Sequence, residues 1–203
     1  MTAQARAYHH GELREALIDE AAAMIAEGGA KSVTMRALGQ RLGVSRAAAY
    51  RHFADKTALL VEVAAAGFGR LGERLQAIDS HEPPPGVERF PRMGEEYVRF
   101  ALENPAHYRL MYGKEALARP DHPELREAAN AIFEHLVDMI GAHQESGLIK
   151  RQDPRAQAYV AWSAVHGLAS LLIDGQITAA VDVDGLIRQT TQTVLDGMRA
   201  RQP

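Results

Sequence analysis

The chain has 203 residues, a net charge of −3 and 46% hydrophobic residues. This length and composition allow one or two domains with buried cores and exclude a disordered chain. Cysteine is absent, which excludes disulfide bonds and thiol chemistry. No apolar run typical of a signal peptide stands at the start of the sequence, so we expect a cytoplasmic protein.

The first predicted helix covers roughly residues 11–27 and ends at Gly28-Gly29. Two short helices around a glycine turn are predicted next, in residues 34–53. Thr34 is a suitable N-cap for the first of them, which must end near Gly43, and Ser45 can cap the second. The inner face of the second helix would carry Val44, Ala49 and Phe53. This arrangement is typical of a helix-turn-helix.

The outward face of the second helix carries side chains that suit DNA recognition. Arg46 can form a forked contact with a guanine, and Ala47 and Ala48 can lie against thymine methyl groups. Asp55 would cap the next helix, which places Lys56 where free amides also favour a phosphate. The predicted DNA-contacting residues are Thr34, Arg36, Ser45, Arg46, Ala47, Ala48, Tyr50, Arg51, His52 and Lys56. The alternative is a solvated basic face on an ordinary helix pair.

Charge is unevenly distributed along the chain. Residues 31–56 contain six Lys and Arg residues and a single acidic residue, Asp55, although the whole chain is acidic. We therefore expect a nucleic acid to meet the N-terminal part of the protein.

A fourth helix begins after Asp55 and ends before the proline run at residues 81–86, which is the predicted domain border. We predict a DNA-binding domain in residues 10–70 and a C-terminal domain in residues 80–203. Within the fourth helix, Gly67-x-Gly69-x-x-Gly72 matches a dinucleotide-binding pattern in letters, but no strand precedes it. Close helix packing is the favoured interpretation of these glycines.

The second half is predicted to be entirely helical, so the fold class is all-α. Asn104-Pro105, His122-Pro123 and Asp153-Pro154 each place proline where the first helical residue belongs. Three apolar stripes follow at helical spacing. They are formed by Leu125, Ala129, Ile132, Leu136 and Met139; by Trp162, Val165, Ala169 and Leu172; and by Ile187, Thr191, Val194 and Met198.

Residues 156–173 contain no formal charge, and a helix of this length could almost cross a bilayer. Because this stretch includes Gln157, His166 and several hydroxyl groups, we favour a packed helix over a membrane span. Together with the stripe after Asp184, it predicts a four-helix dimer seam, with burial inside one chain as the alternative.

Aromatic walls with a few hydrogen-bonding groups are typical of small-molecule cavities, although they also describe an ordinary core. His166 is interpreted first as a core imidazole and second as a ligand contact. No metal or cofactor site is expected, because no metal-ligand spacing is present. The candidate ligand-binding residues are Tyr97, Phe100, Tyr108, Met111, Phe133, Trp162 and His166.

The motif residues resemble those of the tetracycline-repressor (TetR) family of bacterial transcription regulators. The resemblance is carried by Ala37, by Leu42-Gly-Val-Ser45, by Tyr50-x-His52-Phe53 and by Lys56 to Leu59. The family commonly has Gly-Thr-Leu where this chain has Ala47-Ala48-Ala49. Tyr8-His-His-Gly11, Asn104 to Tyr112 and Trp162-Ser-Ala-Val-His-Gly167 further resemble the subgroup with a Trp-His-Gly type C-terminal domain.

The resemblance implies a homodimer with a ligand pocket among the C-terminal helices, and repression that a small molecule relieves. We therefore expect a double-stranded DNA operator and a small-molecule effector as partners, and neither enzyme activity nor membrane insertion. The alternative hypothesis is a helical enzyme that uses His and Glu side chains for acid–base chemistry in the C-terminal cavity, for which no diagnostic spacing is present.

Overall fold

The computed structural model describes residues 10–80, 86, 88–113, 122–178 and 182–200. These residues form α-helices and no β-strand, which confirms the predicted all-α class for the described part of the chain. Tyr8, His9 and most of the proline run at residues 81–86 lie outside it. The helices are α1 (His10–Gly28), α2 (Met35–Leu42), α3 (Arg46–Tyr50), α4 (Lys56–Ser80), α5 (Arg89–Glu103), α6 (Pro105–Tyr112), α7 (Pro123–Glu145), α8 (Pro154–Ile173) and α9 (Val183–Met198).

Three of the helix starts are fixed by predicted side-chain caps. Thr34, Ser45 and Asp55 each accept a hydrogen bond from the backbone N–H three residues later, at 3.1, 3.1 and 2.8 Å. These bonds satisfy donors that the first turn of a helix leaves without intrahelical partners. The predicted starts of α2, α3 and α4 are therefore confirmed.

The turn between α2 and α3 depends on two glycines. Gly43 has φ 68°, in the left-handed region that ends α2. Gly39 lies so close to the turn that a Cβ atom there would be 2.9 Å from the carbonyl oxygen of Val44. Because the obstructing atom belongs to the backbone, a side chain at residue 39 would force the two helices apart.

By their contacts, the described residues separate into two compact units. The first contains residues up to Phe68 and from Asn104 to Glu127, and the second contains Gly69 to Glu103 and the residues from Ala128 onward. The division passes through α4 and α7, whereas sequence reasoning placed borders near residues 70 and 80. The predicted domain ranges, 10–70 and 80–203, stay predictions.

The core of the first unit holds the short helices in place. Leu38, Ala49 and Phe53 are buried, as the predicted inner faces of α2 and α3 require, and Val44 is partly buried. Arg14 of α1 lies over the ring of Phe53, with its Cζ 5.5 Å from the ring centroid. The same arginine forms an ion pair at 2.7 Å with Glu62, so one side chain joins α1 to the end of the motif and to α4.

The glycines of α4 that match the dinucleotide-binding pattern in letters have a packing role. A Cβ atom on Gly67 would lie 2.8 Å from the sulfur of Met111, inside the first unit, and one on Gly72 would lie 3.1 Å from Cδ1 of Ile132, inside the second. α4 is a continuous helix through both glycines. Close packing therefore explains them, whereas a phosphate loop would require a preceding strand.

In the second unit, α5, α8 and α9 pack against one another. Sequence reasoning made no separate prediction for α5, although its apolar residues are buried at helical spacing. At the crossing of the three helices, a Cβ atom on Gly94 of α5 would lie 2.7 Å from Cγ2 of Thr191 and 3.3 Å from Cγ1 of Val165. The absence of a side chain at residue 94 allows α5 to approach both neighbours.

Helix α8, which is free of formal charge after Arg155, is long and apolar enough, by length and composition alone, to cross a membrane. Its inner residues Ala158, Ala161, Val165, Leu168 and Ala169 are buried in the second unit. Tyr159, Val160 and Leu171 are instead 51%, 61% and 47% exposed. The helix therefore has one face in the protein core and a second apolar face that the described residues leave exposed.

Candidate nucleic-acid interface

The helix-turn-helix presents most of its predicted contact residues at the surface. Seven of the ten are exposed: Thr34, Arg36, Ser45, Arg46, Ala47, Tyr50 and Arg51. His52 and Lys56 are half-buried, and Lys56 is the first residue of α4, as predicted from the cap at Asp55. The hydroxyl groups of Thr34 and Ser45 already accept cap bonds, so each would contact a phosphate through its remaining hydrogen-bonding capacity.

Ala48 does not lie on the outward face to which sequence reasoning assigned it. It is 7% exposed, and Ala49 beside it is fully buried. α3 is only five residues long and packs against α2, so two successive positions of the short helix are covered. The prediction that Ala48 faces outward is therefore wrong, and Ala47 is the alanine of this helix that offers its methyl group at the surface.

The basic surface is not uniform, because Arg41 is already ion-paired with carboxylates of this chain at the surface. Its guanidinium donates to both carboxylate oxygens of Glu27 at 2.7 and 2.8 Å and contacts Glu20 at 2.5 Å. Hydrogen bonding to Glu27 raises the pKa of Arg41, and the same pair lowers the pKa of Glu27. Arg41 was not among the predicted contacts, and the ion pairs give the reason: it joins α2 to α1.

The other cations around the motif retain their charge for a partner. Within the described part of the chain, no carboxylate pairs with Arg36, Arg46, Arg51 or Lys56. They lie on α2, on α3, directly after α3 and at the start of α4. Cations without local carboxylates attract phosphates over a distance, and DNA releases its condensed counterions when such cations neutralise its phosphates.

Arg46 and Tyr50 contact each other on the exposed side of α3. The guanidinium carbon of Arg46 lies 5.2 Å from the centroid of the Tyr50 ring, and Nη2 of Arg46 donates to the tyrosine hydroxyl at 3.4 Å. The residues are four apart, the spacing that places side chains on one helix face. The sequence predicts both residues as DNA contacts but not this contact between them.

The candidate ligand-binding residues fall into separate groups. In the second unit, Nε1 of Trp162 donates to the hydroxyl of Tyr97 at 3.1 Å, and that hydroxyl lies 3.1 Å from Nδ1 of His166. Burial lowers the pKa of His166, which favours its neutral form. Phe133 adjoins this group, with its ring centroid 6.0 Å from that of Trp162. Sequence reasoning did not find these hydrogen bonds, because 65 and 69 residues separate the partners.

The three remaining candidates have other neighbours. Phe100 is buried under Arg74, whose Cζ lies 5.7 Å from its ring centroid. Tyr108 and Met111 belong to the first unit, where Tyr108 packs on Tyr112 with ring centroids 4.9 Å apart. Among the described residues, no group of three His, Asp or Glu side chains could hold a metal ion.

Family models match both parts of the chain. Residues 90–194 match the model described as "Tetracyclin repressor-like, C-terminal domain", and residues 17–63 match "Bacterial regulatory proteins, tetR family". The chain belongs to the TetR family. The match over residues 17–63 includes α2, α3 and the start of α4. The family match and the capped helix-turn-helix therefore lie in the same segment. Membership of the Trp-His-Gly subgroup stays a prediction.

A solved structure is similar over nearly the full chain. The structure of a protein of unknown function from Rhodococcus sp. RHA1 is 30% identical, covers 96% of this chain and 99% of its own, and has a TM-score of 0.83. YobS of Bacillus subtilis, an uncharacterized HTH-type transcriptional regulator, is 29% identical over 98 residues, 48% of this chain and 50% of its own length.

The nucleoid occlusion factor SlmA of Vibrio vulnificus is 30% identical over 124 residues, 61% of this chain and 62% of its own length. The chain therefore spans less than two thirds of the curated relatives that it matches.

Proposed function

We propose that this TetR-family protein is a cytoplasmic DNA-binding transcriptional regulator, a repressor that a small-molecule effector releases from a palindromic operator. The observation that carries the proposal is the capped helix-turn-helix, whose exposed face holds Arg46, Ala47, Tyr50 and Arg51 without a neighbouring carboxylate partner in the described chain. A recognition helix needs cations for phosphates and forked or small side chains for base edges.

The proposed operator contacts divide into two kinds. Arg46 and Ala47 would read base edges in the major groove, where a guanine offers two acceptors and a thymine offers a methyl group. Thr34, Arg36, Ser45, Tyr50, Arg51, His52 and Lys56 would hold the DNA backbone, which fixes the register of the helix without reading sequence. Ala48 is not included, because its side chain is buried.

A homodimer is proposed through the uncovered face of α8 and the neighbouring face of α9. Tyr159, Val160 and Leu171 are exposed there. A groove of about 370 Å³ runs between the two helices and is lined in part by Val160 and Val194. Two copies of such a helix pair, related by a twofold axis, would cover these apolar side chains in a four-helix seam. The two recognition helices would then bind half-sites about 34 Å apart, or a multiple of one DNA turn.

An effector would act by binding better to the form of the dimer that does not fit the operator. Typical coupling of about 1–3 kcal/mol lowers operator affinity roughly 5- to 150-fold. The Trp162–Tyr97–His166 chain and Phe133 are the side chains proposed for effector contact in the second unit, with Phe100, Tyr108 and Met111 as further candidates. Neutral His166 supplies a polar group beside aromatic walls, which is the composition of small-molecule sites.

The test is selection of bound fragments from random double-stranded DNA by the full-length protein, with and without a metabolite extract. The expected result is enrichment of one palindromic sequence and reduced binding when the extract contains the effector. Selection that enriches no sequence at low salt would refute the regulator proposal. Enrichment of an operator whose affinity no extract or metabolite panel changes would refute the effector part alone.

A further inference from the structure

The contact between Arg46 and Tyr50 indicates a role for the tyrosine beyond holding the DNA backbone. The guanidinium lies over the aromatic ring, 5.2 Å from its centroid, and Nη2 donates to the hydroxyl at 3.4 Å. Tyr50 is 41% exposed, so the pair lies at the protein surface and not in the core. Both contacts join the same two side chains and fix the same arginine conformation.

In the described part of the chain, the side chain of Arg46 makes no other hydrogen bond or ion pair. No carboxylate pairs with it, and the three residues between it and Tyr50 are alanines, which offer only methyl groups. An unrestrained arginine on a surface helix samples many rotamers, and ordering it on a base costs affinity. A ring that already holds the guanidinium reduces that cost before DNA arrives.

We propose that Tyr50 is a positioning residue for base recognition, holding the guanidinium of Arg46 so that the two side chains read one base pair as a unit. The inference rests on the proposed function, since it requires that α3 binds DNA. It differs from a backbone role for Tyr50 in a measurable way. A backbone contact supports all sequences equally, whereas a positioning contact supports the preferred base at the position that Arg46 reads.

The test compares wild-type protein with Arg46→Ala, Tyr50→Ala, Tyr50→Phe and the Arg46→Ala/Tyr50→Ala double variant. Each binds the selected operator and its single-base variants at fixed salt concentration. Arg46→Ala identifies the base pair that it reads. Tyr50→Ala is expected to lower discrimination at that same base pair about two- to fivefold, the range of an exposed cation–π contact. The double variant is expected to discriminate no less than Arg46→Ala alone.

Tyr50→Phe keeps the ring and loses the weak 3.4 Å hydrogen bond, so it is expected to restore most of the discrimination that Tyr50→Ala loses. Tyr50→Leu, which keeps apolar bulk without an aromatic face, is expected to behave like Tyr50→Ala. Equal thermal midpoints for the variants exclude a folding defect. If either Tyr50→Ala or Tyr50→Leu fails this check, the other of these two variants carries the comparison.

Three outcomes would overturn the positioning role. One is an equal loss of affinity on every sequence for Tyr50→Ala and Tyr50→Leu. Another is loss of discrimination at a base pair that Arg46→Ala does not affect. The third is a gain in discrimination, which would mean that DNA must break the stack. All three require wild-type protein that selects an operator, whereas wild-type protein that selects none refutes the proposed function itself.

Discussion

The guanidinium of Arg41 holds the carboxylate of Glu27 in a bidentate ion pair, with Nη1 donating to Oε2 at 2.7 Å and Nη2 to Oε1 at 2.8 Å. This pair connects α2 of the helix-turn-helix to α1. It lies on the protein surface, where solvent weakens an ion pair, but its fork geometry is the favourable one for arginine. The helix that supports the recognition helix is therefore held partly by charge.

The Arg41–Glu27 pair predicts a pH-dependent contribution to stability. The hydrogen bond from Arg41 lowers the pKa of Glu27 from its usual 4.5. The contribution is therefore present above pH 4.5 and is lost as the pH falls through the lowered value. Glu27→Gln should lower the thermal midpoint at pH 7, and the difference from wild type should shrink in acid. Thermal unfolding at several pH values measures this. Glu15→Gln on the same helix is the control, and a difference independent of pH would contradict the assignment.

Replacing Arg46 and replacing Lys56 should change DNA binding in different ways. Arg46→Ala should cost about 1–3 kcal/mol on the preferred base pair and little on other sequences. Lys56→Ala should weaken binding to all sequences and reduce the salt slope by about one. Fluorescence anisotropy at several salt concentrations measures both effects. Arg41→Ala is the matched control: because Glu27 and Glu20 already neutralise Arg41, the salt slope should hardly change. Equal losses on all sequences for Arg46→Ala would contradict its role in base recognition.

Gly94 should tolerate no added methyl group. Gly94→Ala would place Cβ 2.7 Å from Cγ2 of Thr191 and should destabilise the protein by about 1–3 kcal/mol through overpacking, measured by urea unfolding. Thr191→Ser removes that methyl group and should recover part of the loss in the double variant. Gly141→Ala in α7 is the control, because a Cβ atom there meets nothing within 4 Å and alanine favours helix by up to about 1 kcal/mol. Equal effects at the two glycines would contradict the close approach of α5 to α9.

A charge on the uncovered face of α8 should separate the proposed dimer. Val160 is 61% exposed on a single chain, so Val160→Asp should leave the subunit folded while placing a carboxylate in the four-helix seam. Analytical ultracentrifugation should show monomers, and affinity for a palindromic operator should fall much more than affinity for a half-site. Ala23→Asp, on an exposed position of α1, adds the same charge elsewhere and serves as the control. A Val160→Asp dimer with unchanged operator affinity would place the seam on another surface.

Local chemistry explains which parts of the fold the sequence could predict. Thr34, Ser45 and Asp55 bond to backbone groups three residues away, so a short sequence window contains both partners of each cap. Proline in the first turn likewise indicated the starts of α6, α7 and α8 without knowledge of the tertiary structure.

Features set by tertiary packing were harder to predict. Ala48 is buried in a five-residue helix that packs against α2, whereas helical periodicity alone predicted an outward side chain. The Trp162–Tyr97–His166 hydrogen bonds join α8 to α5 over 65 and 69 residues, a separation at which a single sequence carries no pairing signal. The Arg46–Tyr50 contact was predictable in principle, because its four-residue spacing is local.

The exposed methyl group of Ala47 has a consequence for how such a regulator changes its target. Residues near it have structural roles: Ser45 caps the helix, and Ala48 and Ala49 are buried in the core. Ala47 is exposed and caps nothing, so exchanging it leaves the caps and the core of this stretch unchanged. Operator preference could therefore drift, or be engineered, through this one codon with little loss of stability.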